Sequence, residues 1–174
     1  QTGLNHWLQS FESSQLTFLM KVISFFGEIY PVMLICLIVI GGIHFRKGWL
    51  LLNMVAFTTF LTVWAKESVD FPRPIAVDAT LMSFGSEKTA TDFSNLQPSH
   101  FFTSFAPELL DKIRDSEIGR NGFPSGHTSG QIAIWMGLSL LFRKKWLTIW
   151  AVSFIVLTMI SRMYLGVHYL GDII

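Results

Sequence analysis

Four polar residues near the end of the sequence have the types and the spacing of a nucleophilic site. Ser161 and Arg162 precede His168, and Asp172 follows that histidine. Gly166 can end a helix after Arg162, which then places His168 and Asp172 one helical turn apart. An aspartate that accepts a hydrogen bond from one imidazole nitrogen fixes the tautomer and leaves the other nitrogen available for attack. The same pair is common on protein surfaces, so both interpretations stay open at this point.

The segment Phe-Pro-Ser-Gly-His-Thr has the chemistry of an anion-binding helix start. Pro124 and Ser125 favour the beginning of a helix, and Gly126 allows the backbone to approach a ligand closely. The N–H groups and the dipole of the first turn attract phosphate, and His127 stands beside them. A capping turn with a histidine on the surface is the alternative.

A third group of charges occurs in the run Lys-Glu-Ser-Val-Asp-Phe-Pro-Arg-Pro, which follows an apolar stretch. Lys66 and Arg73 are separated by about two helical turns and can therefore point to one side. Pro72 and Pro74 end the helix. Basic side chains that reach from the end of a membrane helix toward water give the same pattern.

The composition indicates that a membrane surrounds the elements carrying these residues. Of 174 residues, 51% are hydrophobic and 14% are charged, whereas soluble domains have about 25% charged residues. Four apolar stretches approach the length of about 17 to 25 residues that a helix needs to cross a bilayer. These stretches are Ile29–Phe45, Trp49–Ala65, Ser125–Phe142 and Trp146–Ser161. We therefore expect an all-α, polytopic transmembrane helix bundle that forms one domain over residues 1–174.

The amino-terminal part predicts two further elements. Leu4, Trp7, Leu8 and Phe11 recur at helical spacing between polar residues, which predicts an amphipathic helix lying in the membrane interface. The apolar patch Leu16–Phe26 is either part of a broken first span or a re-entrant piece.

Basic residues in the short linkers predict the orientation of the bundle. Arg46 and Lys47 lie in one linker and Arg143 to Lys145 in another, and such clusters mark the cytoplasmic side. The long segment from Lys66 to Phe123 is then extracytoplasmic, together with the three polar clusters. Within it an amphipathic pattern predicts a short helix that either rests on lipid as a lid or covers a small core of the loop. The residues of this pattern are Phe101, Phe105, Leu109 and Ile113.

The three clusters together form a tripartite motif. Residues 66–74 read Lys-x6-Arg-Pro, residues 124–127 read Pro-Ser-Gly-His, and residues 161–172 read Ser-Arg-x5-His-x3-Asp. In this order and spacing the chain resembles the type 2 phosphatidic acid phosphatase superfamily. The resemblance implies that His168 attacks phosphorus, that Asp172 orients His168, and that His127 protonates the leaving oxygen. It also implies that five residues hold the phosphoryl group: Lys66, Arg73, Ser125, Gly126 and Arg162.

The implied function is an integral membrane hydrolase that removes a terminal phosphate from a lipid through a phosphohistidine, with no metal or other cofactor. Phosphatidate, phosphatidylglycerol phosphate, undecaprenyl diphosphate and lipid A phosphate all present such a group. We expect a bacterial inner-membrane protein whose partners are the lipid substrate and the bilayer. With a net charge of +1 the chain has no general attraction to nucleic acid, and its oligomeric state stays open.

Two departures from the family and two alternative functions complete the prediction. Members of the family usually have six spans, the last of which continues beyond the aspartate. A helix from His168 to Ile174 is too short to cross a membrane, so we expect the last helix to be completed either by further residues or by a partner chain. The amino-terminal part lacks one span, in whose place we expect the interfacial helix. The alternatives are a relative of the vanadate-dependent haloperoxidases and a non-enzymatic transporter of lipids or anions.

Overall fold

The computed structural model describes residues 2–69, 73–78, 80–82, 84 and 122–173. All regular elements within these residues are helical. They are α1 (Thr2–Gln9), α2 (Ser14–Phe25), α3 (Ile29–Ile38) with a π-helical turn (Val39–Ile43), α4 (Phe45–Val69), α5 (Pro74–Val77), α6 (Gly126–Gln131) with a π-helical turn (Ile132–Met136), α7 (Gly137–Phe142), α8 (Lys145–Tyr164) and a 3₁₀ turn (Leu170–Asp172). The helix predicted over Phe101–Ile113 lies outside the described residues.

The four predicted apolar stretches are all helical, with ends close to those expected. By length and composition, α4 and α8 are each able to cross a membrane. The helix α2 and the α3 segment through Ile43 meet the same criterion as a pair, but they are bent by 53° at the break between them. This bend fits both structures proposed for Leu16–Phe26, a broken span and a re-entrant piece. Helices α6 and α7 and the π-helical turn between them follow one another without a gap.

Large apolar side chains on the outside of the bundle show why a bilayer suits this fold. On α4, Phe57 and Phe60 are 64% and 66% exposed. Lipid chains can cover such residues, whereas water would penalise their exposure. Inside, one core joins α3 and α4 to the segment 132–138. Its fully buried members include Cys36, Leu51 and Ile134, and Cys36 therefore packs as a small core residue.

A second core attaches α2 to the end of α8. Met20 and Ile23 pack against the segment that begins at Tyr164. Two hydrogen bonds reinforce this contact: Ser161 Oγ donates to Met20 O at 2.7 Å, and the hydroxyls of Thr17 and Tyr164 are 2.7 Å apart. The end of α8, which carries two motif residues, is therefore held by the amino-terminal part of the chain.

Helix α1 is amphipathic, as predicted, and it places its polar face against the protein. Trp7 on α1 is 58% exposed, and so is Phe11 in the turn that follows, at 57%, whereas Asn5 and Gln9 are buried. This arrangement is the reverse of a helix on a soluble protein and suits an apolar surrounding on the outer side.

Candidate active site

The chain reverses after α8 at a glycine. Gly166 has a φ of +77°, a conformation that glycine adopts without steric cost. A Cβ added there would lie 3.0 Å from Met82 O, so the space is also restricted. The predicted break after Arg162 is thus confirmed, and it delivers His168 into the interior, where the side chain is 2% exposed.

Asp172 reaches the His168 ring through a different local structure from the one expected. The Asp172 Oδ2 atom is 3.5 Å from His168 Nδ1. The expected α-helical turn between them is wrong, because Tyr169 is extended and only Leu170–Asp172 form a 3₁₀ turn. The reason is that the carboxylate accepts a hydrogen bond from the Tyr169 N–H at 2.8 Å, which closes the chain into a tighter turn.

Burial and nearby charges set the protonation of this pair. Burial lowers the pKa of the His168 ring well below the usual value of a histidine, because it penalises the charged form. Three cations lower this pKa further: Arg162, Arg73 and Lys66. Burial raises the pKa of Asp172 to about 6, against the opposing effects of the Tyr169 N–H and of Arg73 and Lys66. At neutral pH the pair therefore consists of a neutral imidazole beside a carboxylate.

The helix start at Ser125 is joined directly to the His168 segment. Ser125 is the N-cap of α6, and its hydroxyl accepts a hydrogen bond from the Thr128 N–H at 3.4 Å. The Ser125 N–H donates to the Asp172 carbonyl at 2.9 Å. This bond joins the Pro-Ser-Gly-His motif to the Ser-Arg-x5-His-x3-Asp motif. Because the Ser125 N–H is used in this bond, it is not among the amides that can bind phosphate.

The three predicted cationic residues lie around the same pair. A Cβ added to Gly126 would be 3.9 Å from Lys66 Cε, so the lysine side chain passes close to the helix start. Arg162 is buried, and its Nη1 donates to Ser24 Oγ at 2.9 Å. Arg73 stands at the N-cap of α5, and its charge acts on both His168 and Asp172. The structure thus gathers the predicted residues, while their catalytic roles stay predictions.

Residues from the amino-terminal helices, which the sequence analysis did not single out, also contact the site. Ser24 accepts the bond from Arg162, and Gly27 lies against His127. A Cβ added to Gly27 would be 3.1 Å from His127 Cβ, so only glycine leaves the ring its full space. In the sequence, Gly27 is visible only as a glycine that interrupts an apolar run. This pattern does not indicate which residue packs against it.

A groove of about 330 Å³ lies beside His127. It is formed by the bend between α2 and α3, by α4 and by the start of α6. Its lining includes Gly27, Tyr30, Val55, Thr59, Gly126 and His127. Among the described residues, no three His, Cys, Asp or Glu side chains come together to hold a metal ion.

The sequence pattern of the PAP2 superfamily matches residues 47–174, a segment that contains all three motifs. The chain belongs to the PAP2 superfamily. This membership confirms the resemblance drawn from the tripartite motif.

Curated PAP2 relatives match a shorter part of the chain. A lipid A 4'-phosphatase of Porphyromonas gingivalis is 37% identical over 87 residues, which cover 47% of this chain and 34% of the relative. A lipid A 4'-phosphatase of Bacteroides thetaiotaomicron is 41% identical over 79 residues, which cover 45% of this chain and 35% of the relative. The matched segments thus span about a third of the length of these relatives.

Solved structures share the fold over nearly the whole chain. Aquifex aeolicus LpxE superposes with a TM-score of 0.73 at 16% identity and covers 98% of this chain and 84% of its own. A transmembrane PAP2-type phosphatidylglycerolphosphate phosphatase of Bacillus subtilis gives a TM-score of 0.63 at 22% identity, covering 99% of this chain and 74% of its own. Together with its apolar spans, this fold makes the PAP2 protein described here an integral membrane protein.

Proposed function

We propose that this PAP2 protein removes the terminal phosphate of a membrane lipid through a phosphohistidine on His168. The observation that carries the proposal is the buried His168 ring, 3.5 Å from Asp172 and surrounded by three cations. A neutral imidazole is a nucleophile, and the nearby carboxylate favours the tautomer with the proton on Nδ1 and the lone pair on Nε2. The surrounding positive charge attracts the phosphate dianion and stabilises its transition state.

The reaction has two steps. The Nε2 lone pair of His168 attacks phosphorus in line with the bond to the leaving oxygen, so that a P–N bond forms as the P–O bond breaks. His127 supplies the proton that the leaving oxygen requires. Water then gives a proton to His127 and attacks phosphorus, so that a P–O bond forms as the P–N bond breaks. Inorganic phosphate is released, and both histidines return to their starting states. Lys66, Arg73 and Arg162 neutralise the equatorial oxygens throughout.

For the substrate, we propose lipid A 4'-phosphate among the four candidate lipids. The two curated relatives are lipid A 4'-phosphatases, and this is the ground for the choice. An in-line displacement expels the leaving oxygen on the side opposite His168, and we assign this side to His127, which lines a groove with room for part of a lipid. The lipid part of the substrate then lies in the groove, between α4 and the bend that follows α2.

The experiment is a phosphate-release assay with the purified protein in detergent. The substrates are the four lipid phosphates and 4-nitrophenyl phosphate, and His168→Ala is the negative control. We expect the highest kcat/KM with lipid A 4'-phosphate, and radioactive phosphate trapped on the wild-type protein but not on His168→Ala. Release from none of the lipids would contradict the proposed activity, and faster release from another lipid would replace the proposed substrate.

The proposal includes a metal-free reaction on the periplasmic face of a bacterial inner membrane. Full activity in excess chelator is expected, and a loss that magnesium restores would contradict metal independence. Orientation is tested with Ser86→Cys and Lys144→Cys, each in a Cys36→Ser background. An impermeant thiol reagent on intact cells should label position 86 and not position 144, and the opposite pattern would reverse the orientation.

A further inference from the structure

The polar face of α1 contacts the backbone on both sides of the turn that delivers His168. Asn5 is fully buried. Its Nδ2 donates one hydrogen bond to Met163 O at 2.9 Å and another to His168 O at 3.0 Å. One amide group therefore joins the last turn of α8 to the peptide of the histidine itself.

The His168 segment needs such an external contact because it has little regular structure of its own. The chain is extended at Tyr169, and the 3₁₀ turn begins only at Leu170. Beyond the turn, Asp172 O accepts the bond from Ser125. The backbone around the histidine is thus fixed at two points, by Asn5 at His168 and by Ser125 at Asp172.

Gln9 provides a comparison on the same face of the same helix. It is buried like Asn5, and its Nε2 donates to Tyr164 O at 3.0 Å and to Met82 O at 2.9 Å. Both side chains thus donate to a carbonyl near the end of α8, but only Asn5 bonds to the peptide of His168. Loss of Asn5 removes two hydrogen bonds, whereas loss of Gln9 removes three, because Gln9 Oε1 also accepts a bond from the Met82 N–H at 3.0 Å. Gln9→Leu is therefore at least as large a perturbation of stability as Asn5→Leu.

We infer that Asn5 is a positioning residue for the nucleophile, holding the His168 backbone so that its ring meets phosphorus in line. This inference rests on the proposed function of His168. Attack requires the reacting atoms to be about 3 to 3.5 Å apart, and a misplacement of about 1 Å costs roughly 100-fold in rate. Asn5 acts on the reaction only through the histidine and does not contact the substrate.

The test compares Asn5→Leu with Gln9→Leu in the full chain, using the rate of phosphoenzyme formation from 4-nitrophenyl phosphate. Asn5→Leu should lower this rate by roughly 100-fold with KM changed by less than about threefold, because the cations that hold the phosphate are untouched. Gln9→Leu should stay within about fivefold of the wild type. Equal losses in the two variants, or a loss confined to KM, would overturn the inference. A wild type without activity would instead overturn the proposed function.

Asn5→Asp provides a second test that does not depend on the folding of Asn5→Leu. A buried aspartate facing two carbonyls has a raised pKa, and its protonated form donates one of the two lost bonds. The rate of Asn5→Asp relative to the wild type should therefore rise about tenfold as pH falls from about 8 to about 6, with thermal stability measured at each pH as the control. A constant ratio would refute a positioning role.

Discussion

Gly27→Ala tests the contact between the bend after α2 and His127. The added Cβ would lie 3.1 Å from His127 Cβ, 3.2 Å from His127 Cδ2 and 3.2 Å from Ser24 O. Ordinary contacts between carbon atoms are about 3.5 to 4.0 Å, so the added Cβ is too close to its neighbours by about 0.5 Å. Because Ser24 O belongs to the backbone and moves less easily than a side chain, we expect the His127 ring to move by this distance. Since a misplacement of about 1 Å lowers a reaction rate roughly 100-fold, this movement should lower the rate of any step that needs His127 by about tenfold. The crowding also costs about 1 to 3 kcal/mol of stability.

The assay is the rate of phosphoenzyme formation, measured with a lipid phosphate and with 4-nitrophenyl phosphate. His127 matters for the lipid, whose alkoxide needs a proton, and matters little for the nitrophenolate, which leaves as a stable anion. Gly27→Ala should therefore slow the lipid reaction about tenfold and leave the aryl reaction nearly unchanged. Gly41→Ala is the matched control, because a Cβ there has nothing within 4 Å. Equal slowing of both substrates by Gly27→Ala would refute the reasoning.

Four further predictions concern the site and its groove. His127→Ala should still give a burst of nitrophenolate close to one per active site followed by slow turnover, whereas His168→Ala should give no burst; the reverse result would exchange the two roles. Asp172→Asn should lower kcat by roughly 10³ to 10⁴-fold, because an amide donor facing Nδ1 forces the proton onto Nε2. Since folding raises the pKa of Asp172 to about 6, the catalytic carboxylate is lost as pH falls through that value, and wild-type kcat should fall below about pH 6; an unchanged kcat at pH 5 would contradict this role. Thr59→Trp fills the groove from an exposed position and should raise KM for the lipid but not for 4-nitrophenyl phosphate. Phe60→Trp, on the same helix but outside the groove, should leave both KM values unchanged. Equal effects of the two tryptophans would argue against the groove as a lipid site.

The sequence was sufficient to predict the spans and the motif residues. Apolar stretches of spanning length have few alternatives in a chain with so little charge, and α4 and α8 extend the predicted stretches by only a few residues at each end. The break at Gly166 was equally predictable, because glycine adopts the left-handed conformation more readily than any other residue. The gathering of Ser125, His168 and Asp172 followed from the order and spacing of the motifs.

Contacts between distant elements were not predictable from patterns along the chain. Helical spacing showed that Asn5 and Gln9 share one face, but the partners of that face depend on how α1 packs against the rest of the fold. The bond between Ser24 and Arg162 and the contact between Gly27 and His127 depend in the same way on the bend after α2. The 3₁₀ turn at Leu170–Asp172 was missed because the Asp172 carboxylate has two partners. It accepts a hydrogen bond from the Tyr169 N–H and also lies beside the His168 ring.

The hydrogen bonds of Asn5 also have a consequence for the order of events during synthesis. Asn5 is separated from its two acceptor residues by 158 and 163 positions in the chain. At a synthesis rate of about 5 to 20 residues per second, α1 leaves the ribosome roughly 8 to 30 seconds before those carbonyls exist. During that interval the apolar face of α1 can rest on lipid while Asn5 has no partner in the bundle. Helix α1 therefore reaches its final contacts only when the Ser-Arg-x5-His-x3-Asp motif has emerged, long after α1 itself is made.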